Sequence, residues 1–406
     1  MSYGFTYASL IDNGCIINYA NLDGERGYVL EEDVTIDGVY YLVADKLDLN
    51  GHTMTINGDL IQGGGTIYLN GGSLIVNGNY RVQTREEKNS EIIYGGSSGI
   101  LNMDNEEDYL YVKGDYINAT SISNENKLTA GTIEIQGDVT VRSESNTKAF
   151  VPSKDIKIVL SGEEKQTIDI DFFERVDVSN VSSSNMYNCL HNLEMNNTSE
   201  EGICFTYPVY MTGNIAQGET VVDGAIILGH NVSFVNNQYT GDVYFMKTFT
   251  IATGSSIYGD AYLINDSTIK GNVNIYGNVS SLCEDDTSKA YTLYANSNEI
   301  SILGNVNDVS LNINHATDVI YVSGNVNSST IYIGTGKISV DGNVECKNLN
   351  LANTGTLEIK GDFSLTETLE NNTKYDTTIK FLGNGLQKIK GAQIGTFDIL
   401  ILEGMR

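Results

Sequence analysis

Residues 320–363 read IYVSGNVNSSTIYIGTGKISVDGNVECKNLNLANTGTLEIKGDF. Three copies of one tag stand in it: Gly324-Asn325-Val326, Gly342-Asn343-Val344 and Gly361-Asp362-Phe363, separated by 18 and 19 residues. Between them apolar residues alternate with polar ones, as in Ile331 and Ile333, Ile338 and Val340, Leu357 and Ile359. Alternation over three to five residues marks a short strand with one buried face. A period near 19 built from such strands marks a solenoid, in which each coil buries its apolar face only against the next.

The same tag runs back through the chain. It opens at Gly58, Gly78, Gly114, Gly137, Gly213, Gly241, Gly259, Gly277 and Gly304, each followed by Asn or Asp. From Gly58 to Gly361 the intervals are 20, 36, 23, 76, 28, 18, 18, 27, 20, 18 and 19 residues. On a step of 18 to 20, the 36 reads as two coils and the 76 as four. The 27 and 28 read as one coil plus an insertion. The fold expected is all-β: a single-stranded parallel β-solenoid (β-helix) with coils of about 18–20 residues, roughly 20 turns stacked at about 4.8 Å. Glycine is expected in the tags for positive φ, which Asn and Asp also tolerate. The Asx side chains of successive tags are expected to stack as a ladder. Only Pro152 and Pro208 interrupt the chain, as stacked ladders require.

The organisation expected is a lead-in or cap over residues 1–39, a first module over 40–215, and a second over 216–406 continuous with it. A longer repeat supports two modules. IVLSGEEKQTIDI (158–170) and IKFLGNGLQKIKG (379–391) share a strand, a glycine turn, Gln, one residue and Ile. Further strands are expected at RVDVSN (175–180) and FDILIL (397–402). With only EGMR after the latter, that end coil is expected to stay open and to accept a further coil or a second copy.

The charge is 24 − 52 = −28, which argues against nucleic acid and against anionic lipid as partners. No apolar run is long enough to span a membrane. Glu31-Glu32-Asp33, Glu106-Glu107-Asp108 and Glu284-Asp285-Asp286 read as solvated loop tips without calcium-loop spacing. Residues 1–20, MSYGFTYASLIDNGCIINYA, lack the basic and apolar regions of a signal peptide. The chain is therefore expected to be extracellular or at the cell surface as part of a larger exported protein, with the cytoplasm as the other location. The five cysteines, Cys15, Cys189, Cys204, Cys283 and Cys346, form no C-x-x-C. Free buried thiols are the default, and a Cys189–Cys204 pair is left open.

The wording of several stretches is similar to solenoid regions of large secreted surface proteins of anaerobic Gram-positive bacteria. They are YYLVADKLDLNGHTMTINGDLIQGGGTIYLNGGSLIVNGNYRVQ (40–83), YGGSSGILNMDNEEDYLYVKGDY (94–116), LTAGTIEIQGDV (128–139), the Gln166 strand, and LHNLEMNNTSEEGICFTYPVYMTGNI (190–215). The resemblance covers 40–215 well and 216–406 at the level of the repeat. It implies an adhesin-like or stalk-like segment.

Signatures of chemistry are sparse. Hydrolases on β-helices need convergent carboxylates. His52, His191, His230 and His315 adjoin no paired-Asp motif, and Asp285-Asp286 lies in a polar run. No zinc-ligand spacing occurs, and Cys189, His191 and Cys204 are the nearest approach to a ligand set. No catalytic, cofactor-binding or metal residue is expected. The 25 tyrosines, with no tryptophan, offer the best binding surface: an apolar ring with a polar tip suits sugars or proteins. Tyr94, Tyr109, Tyr111, Tyr207, Tyr239 and Tyr244 are the candidates, with Tyr40, Tyr41 and Tyr210 beside them. The expected function is a non-catalytic structural or adhesive rod that engages a host or bacterial surface glycan or protein, with end-to-end self-association. The alternatives are a carbohydrate-active β-helix enzyme and a self-assembling filament.

Overall fold

The computed structural model describes residues 17–22, 25–43, 45–142, 148–171, 187–229, 232–246, 248–282, 290–371, 376–391 and 399–402. Cys15, Cys283, His230, Glu284, Asp285, Asp286, the segment 175–180 and residues 397–398 lie outside them. The fold is all-β, 54% strand, with parallel sheets stacked as a β-solenoid of about 16 turns. The chain forms two compact units, one of Met1–Val176 with Ser184–Gly224, the other of Asp177–Ser183 with Ala225–Arg406.

Each coil of the first unit contributes strands to parallel ladders. One ladder runs Tyr40–Leu42, Leu60–Gln62, Tyr80–Val82, Tyr116–Asn118, Val139–Val141, Gln166–Ile170 and Ile203–Phe205. A second runs Thr53–Ile56, Ser73–Val76, Tyr109–Val112, Thr132–Ile135, Lys157–Leu160 and Leu190–Met195. Met54, Leu74, Leu110, Ile133 and Ile158 meet in register and are fully buried. Each such side chain gains about 1.5–3 kcal/mol by leaving water, but only because the next coil covers it. Two antiparallel pairs depart from the pattern: Ile17–Leu22 with Glu25–Leu30, and the hairpin Thr84–Lys88 with Glu91–Gly95.

In the second unit one ladder starts at Gln238–Tyr239. It runs through Ser255–Ile257, Val273–Ile275, Glu299–Ile302, Val319–Val322, Lys337–Val340 and Thr356–Ile359 to Thr378–Phe381 and Ile399–Leu402. The strands that follow the tags form another, from Asp242–Phe245 through Ala261–Leu263 and Val279–Ser281 to Phe363–Asn371 and Ile389–Gly391.

The coils are less regular than the tag spacing suggests. Gly114 N–H donates to Gly78 O at 3.0 Å, so the 36-residue interval is one coil, not two. The hairpin Thr84–Gly95 accounts for the excess. Within the 76-residue interval the tag-side ladder takes two long steps, to Gln166–Ile170 and then to Ile203–Phe205, instead of four short ones. These long coils lower the turn count below the expected 20.

The Asx ladder is present, and it is made to backbone. Asp59 Oδ1 accepts from Asn79 N at 2.8 Å, Asn79 Oδ1 from Asp115 N at 2.8 Å, and Asp115 Oδ1 from Asp138 N at 3.0 Å. In the second unit the chain of acceptors runs Asp242, Asp260, Asn278, Asn305, Asn325 and Asn343 to Asp362 N, each bond 2.7–2.9 Å. Gly213 stands outside both ladders, in the strand Val209–Ala216 with φ +74°.

The reason for glycine in the tags differs from the expected one. Positive φ falls at the neighbouring corners, such as Asn50-Gly51 and Asn70-Gly71, and not at Gly58, Gly78, Gly114, Gly137, Gly241, Gly259, Gly277, Gly304, Gly324, Gly342 or Gly361. The constraint is close approach. A Cβ on Gly78 would lie 2.6 Å from Gly58 O, one on Gly114 2.7 Å from Gly78 O, and one on Gly324 would overlap Gly304 O. Any side chain forces the stacked backbones apart.

Gly324→Ala is therefore expected to destabilise its coil by about 1–3 kcal/mol, the usual cost of overpacking. Amide exchange should accelerate first in the coils around Gly304 and Gly342. An alanine variant with unchanged unfolding and exchange would refute the close-approach account; a need for positive φ would instead favour Gly324→Asn over Gly324→Ala.

Candidate binding surface

Strand alternation decides which tyrosines face outward, and register decides which meet. In the second unit Tyr244 pairs with Tyr262 on adjacent coils, ring centroids 5.2 Å apart. The residue just before each tag also points out. Tyr258 precedes Gly259, Tyr276 precedes Gly277 and Leu303 precedes Gly304, and they are 42%, 42% and 41% exposed. Tyr276 N bonds Ile257 O at 2.8 Å and Leu303 N bonds Ile275 O at 2.7 Å, which sets the three in one row. Tyr258 and Tyr276 stack at 4.5 Å with 11° between ring planes. Stacked rings spend their shared faces on each other. What they offer outward is ring edges and hydroxyls, suited to hydrogen bonding and edge contact.

The carboxylates Asp242 and Asp260 lie near the Tyr244–Tyr262 pair. Burial raises the Tyr244 and Tyr262 phenols above their ordinary range, and Asp242 adds to it. Tyr262 also bonds Asp260. These hydroxyls stay neutral donors at physiological pH.

In the first unit Tyr109 donates to Glu134 Oε2 at 2.8 Å, and Ser161 Oγ donates to Oε1 at 2.7 Å. Both oxygens of Glu134 are thus engaged. Burial, then Glu134, raises the Tyr109 and Tyr111 phenols. Tyr94 is half-buried under the Arg81 guanidinium, 4.6 Å from its ring centre, and Tyr41 lies 5.7 Å from that of Arg85. Tyr207 is 41% exposed.

One candidate is corrected outright. Tyr239 is fully buried, stacked on Phe234 at 5.4 Å, and belongs to the core. Tyr40 and Tyr210 are buried too. Alternation over a two-residue strand, Gln238–Tyr239, is too short to show which residue faces in. Tyr258, Tyr262 and Tyr276 escaped the sequence reading. Their signal is positional: Tyr258 and Tyr276 take the same place before consecutive tags.

The residues considered as metal ligands have separate engagements. The Cys189 thiol is buried against Pro152 O and pushed up to about 12, while Cys204 bonds Asp223. Both are free, as is Cys346. His191 Nε2 faces Lys154 O at 2.8 Å and must carry the proton; Nδ1, 2.8 Å from Thr212 Oγ1, then accepts. Among the described residues no cluster of three His, Cys, Asp or Glu side chains is placed to hold a metal. Asp108 is no loop tip. It is buried and accepts from Gly71 N at 2.6 Å, Asp104 N at 2.8 Å and Asn105 N at 3.0 Å. Asp318 repeats the arrangement with Ser297, Asn314 and His315.

Comparison with known proteins finds no matching family model, no similar curated protein and no similar solved structure.

His191 supplies a pH test. Burial lowers its pKa, against the raising effect of Lys154 O and Asp155. The unfolded chain takes up this proton near pH 6.5, the folded chain only lower. Stability at this coil is thus whole above about pH 6.5 and is lost as pH falls toward the depressed folded value. Amide protection around Thr212, corrected for the intrinsic pH dependence of exchange, should fall more between pH 7.5 and pH 5 in the wild type than in His191→Gln. Equal responses would place the pH sensitivity elsewhere.

Proposed function

We propose that this chain is a structural and adhesive β-solenoid, non-catalytic, that presents a tyrosine-rich outer surface to a host or bacterial surface glycan or protein. The observation that carries this reading is the pair of outward tyrosine rows, Tyr244–Tyr262 and Tyr258–Tyr276, held in register by the tag ladder. Tyrosine brings large contact area at low entropic cost together with a hydroxyl that hydrogen-bonds. The polar groups of the tags are already committed to coil stacking, so binding falls to the residues between them. The net charge of −28 keeps such a surface soluble and disfavours nucleic acid. The resemblance of 40–215 to solenoid regions of secreted bacterial surface proteins supports an extracellular setting within a larger exported protein.

The expected outcome is saturable retention of the chain on one or more immobilised surface polysaccharides, mucin-type glycans or host matrix proteins, without release of cleaved product. The double variant Tyr258→Ala, Tyr276→Ala should lower that retention at least tenfold while leaving the unfolding transition in place. Release of unsaturated or reducing ends from pectin, alginate or host glycans would overturn the non-catalytic reading in favour of a carbohydrate-active enzyme. Undiminished retention of the double variant would remove the tyrosine rows from the binding surface. Fractionation of the producing cell decides between export and a cytoplasmic filament.

A further inference from the structure

Two glutamines, Gln166 and Gln387, make the same clasp. Gln166 Oε1 accepts from Gly162 N at 2.8 Å, and its Nε2 donates to Ile135 O at 3.1 Å and Gly137 O at 2.9 Å. Gln387 Oε1 accepts from Gly383 N at 2.9 Å, and its Nε2 donates to Ile359 O at 3.3 Å and Gly361 O at 2.6 Å. The next residue of each takes the last Asx acceptor: Thr167 N on Asp138 Oδ1 at 2.7 Å, Lys388 N on Asp362 Oδ1 at 2.8 Å. The side-chain amides thus take the carbonyls of Gly137 and Gly361, the last glycines of the two tag ladders, as the next tag glycine does at Gly114 and Gly342.

The two clasps differ in what lies over them. Above Gln166, Asn197 Nδ2 donates to Gln166 Oε1 at 3.0 Å and to Glu164 O at 2.7 Å, and Thr198 N donates to Gly162 O at 3.0 Å. The strand Ile203–Phe205 then pairs in parallel with Gln166–Ile168, and Ile168 is fully buried. Among the described residues no such contacts lie over Gln387. Leu386, in the loop that the clasp closes, is 91% exposed, and Ile389, the counterpart of Ile168, is 37% exposed. Among the described strands, Ile389–Gly391 pairs only with Phe363–Asn371. A Cβ on Gly385 would meet nothing within 4 Å.

We propose that the Gln387 clasp, with Leu386 and the free edge of Ile389–Gly391, is a docking site for a parallel strand of this solenoid's own repeat format. The occupant brings an Asn-Thr pair to the clasp and an apolar strand residue over Ile389. Its chemistry is read from the segment that covers Gln166. The asparagine amide would fill the second lone pair of Gln387 Oε1 and the carbonyl of Gly385, the position equivalent to Glu164. The threonine N–H would take Gly383 O. Strand addition of this kind draws affinity from main-chain bonds and selectivity from alternate side chains. An apolar, unpaired edge of this kind is what such addition requires.

The probe is a labelled synthetic peptide of residues 193–206, LEMNNTSEEGICFT, titrated onto the intact 406-residue chain. Saturable binding is expected, weakened at least tenfold by Ile389→Lys on the chain and by Asn197→Ala on the peptide. Amide exchange at Lys388 and Lys390 should slow when the peptide is bound. Ile389 and Leu386 are exposed, so Ile389→Lys and Leu386→Asp are expected to fold, and an unchanged unfolding transition verifies it. No binding at millimolar peptide overturns the proposal. Binding that ignores Ile389→Lys, as exchange into the Gln166 site would, overturns it as well.

Discussion

The close approach of one tag glycine to the next is the constraint on which the rest of the structure depends. Parallel strands on successive coils sit about 4.8 Å apart, and the turns between them must keep that spacing. At six tags (Gly78, Gly114, Gly137, Gly324, Gly342 and Gly361) this places the glycine N–H on the previous glycine carbonyl, as for Gly78 on Gly58 at 3.0 Å and Gly342 on Gly324 at 3.2 Å. A Cβ in that gap would collide with the carbonyl below. The following Asn or Asp completes the device, because its side-chain oxygen reaches the backbone N–H one coil up. Two residues thus satisfy a corner that would otherwise bury unpaired amides. Where the tag series stops, Gln166 and Gln387 supply the missing donor and acceptor from a side chain.

Asparagine and aspartate are interchangeable as acceptors in this ladder, but not in charge. Unit charges about 4 Å apart repel by about 1 kcal/mol even in bulk water. The longest part of the ladder, Asn278, Asn305, Asn325 and Asn343, is neutral, and carboxylates are adjacent only at Asp115–Asp138 and Asp242–Asp260. The outward strand positions handle charge differently. Lys380 lies 3.0 Å and Lys337 3.6 Å from Glu358, and Lys360 lies 2.7 Å from Asp341. Burial alone would raise the Glu358 carboxyl, but the two lysines outweigh it and hold it low. Such exposed pairs add little stability each. Their consequence is that like charges on neighbouring coils are kept from facing one another.

The coil was legible because its determinants are local and periodic. Alternation at Met54 and Ile56 or Leu357 and Ile359 names the buried face directly, and each of these four is fully buried. The role of glycine was legible only as a turn. Its cause, a carbonyl one coil away, is a contact between residues 18 to 36 apart that no local rule contains. Coil length failed for a related reason. The hairpin Thr84–Gly95 adds residues without adding a coil, and only pairing across it, Leu74 with Leu110, reveals that. Gln166 and Gln387 were visible as a repeat, but their chemistry is a tertiary hydrogen-bond set.

The outward tyrosines show where sequence reading reaches its limit. In a solenoid, neighbours in space are residues of equal phase on successive coils, so a patch is written in the sequence at intervals of one coil. Tyr258 and Tyr276 are 18 residues apart and stack at 4.5 Å, whereas Tyr109 and Tyr111, two apart, share only Glu134. Choosing tyrosines by strand ends or local clustering therefore selects the wrong companions. It admitted Tyr239, which the core takes, and passed over the residue before each tag. Phase relative to the tag is the better criterion, because the tag fixes the register of everything between two copies. By that criterion the row Tyr258, Tyr276, Leu303 continues as Ser323, Asp341 and Lys360. The apolar part of the surface is thus confined to three coils and gives way to the charged rungs above it. The face is therefore asymmetric along the coils, aromatic at Tyr258 and Tyr276 and charged at Asp341 and Lys360.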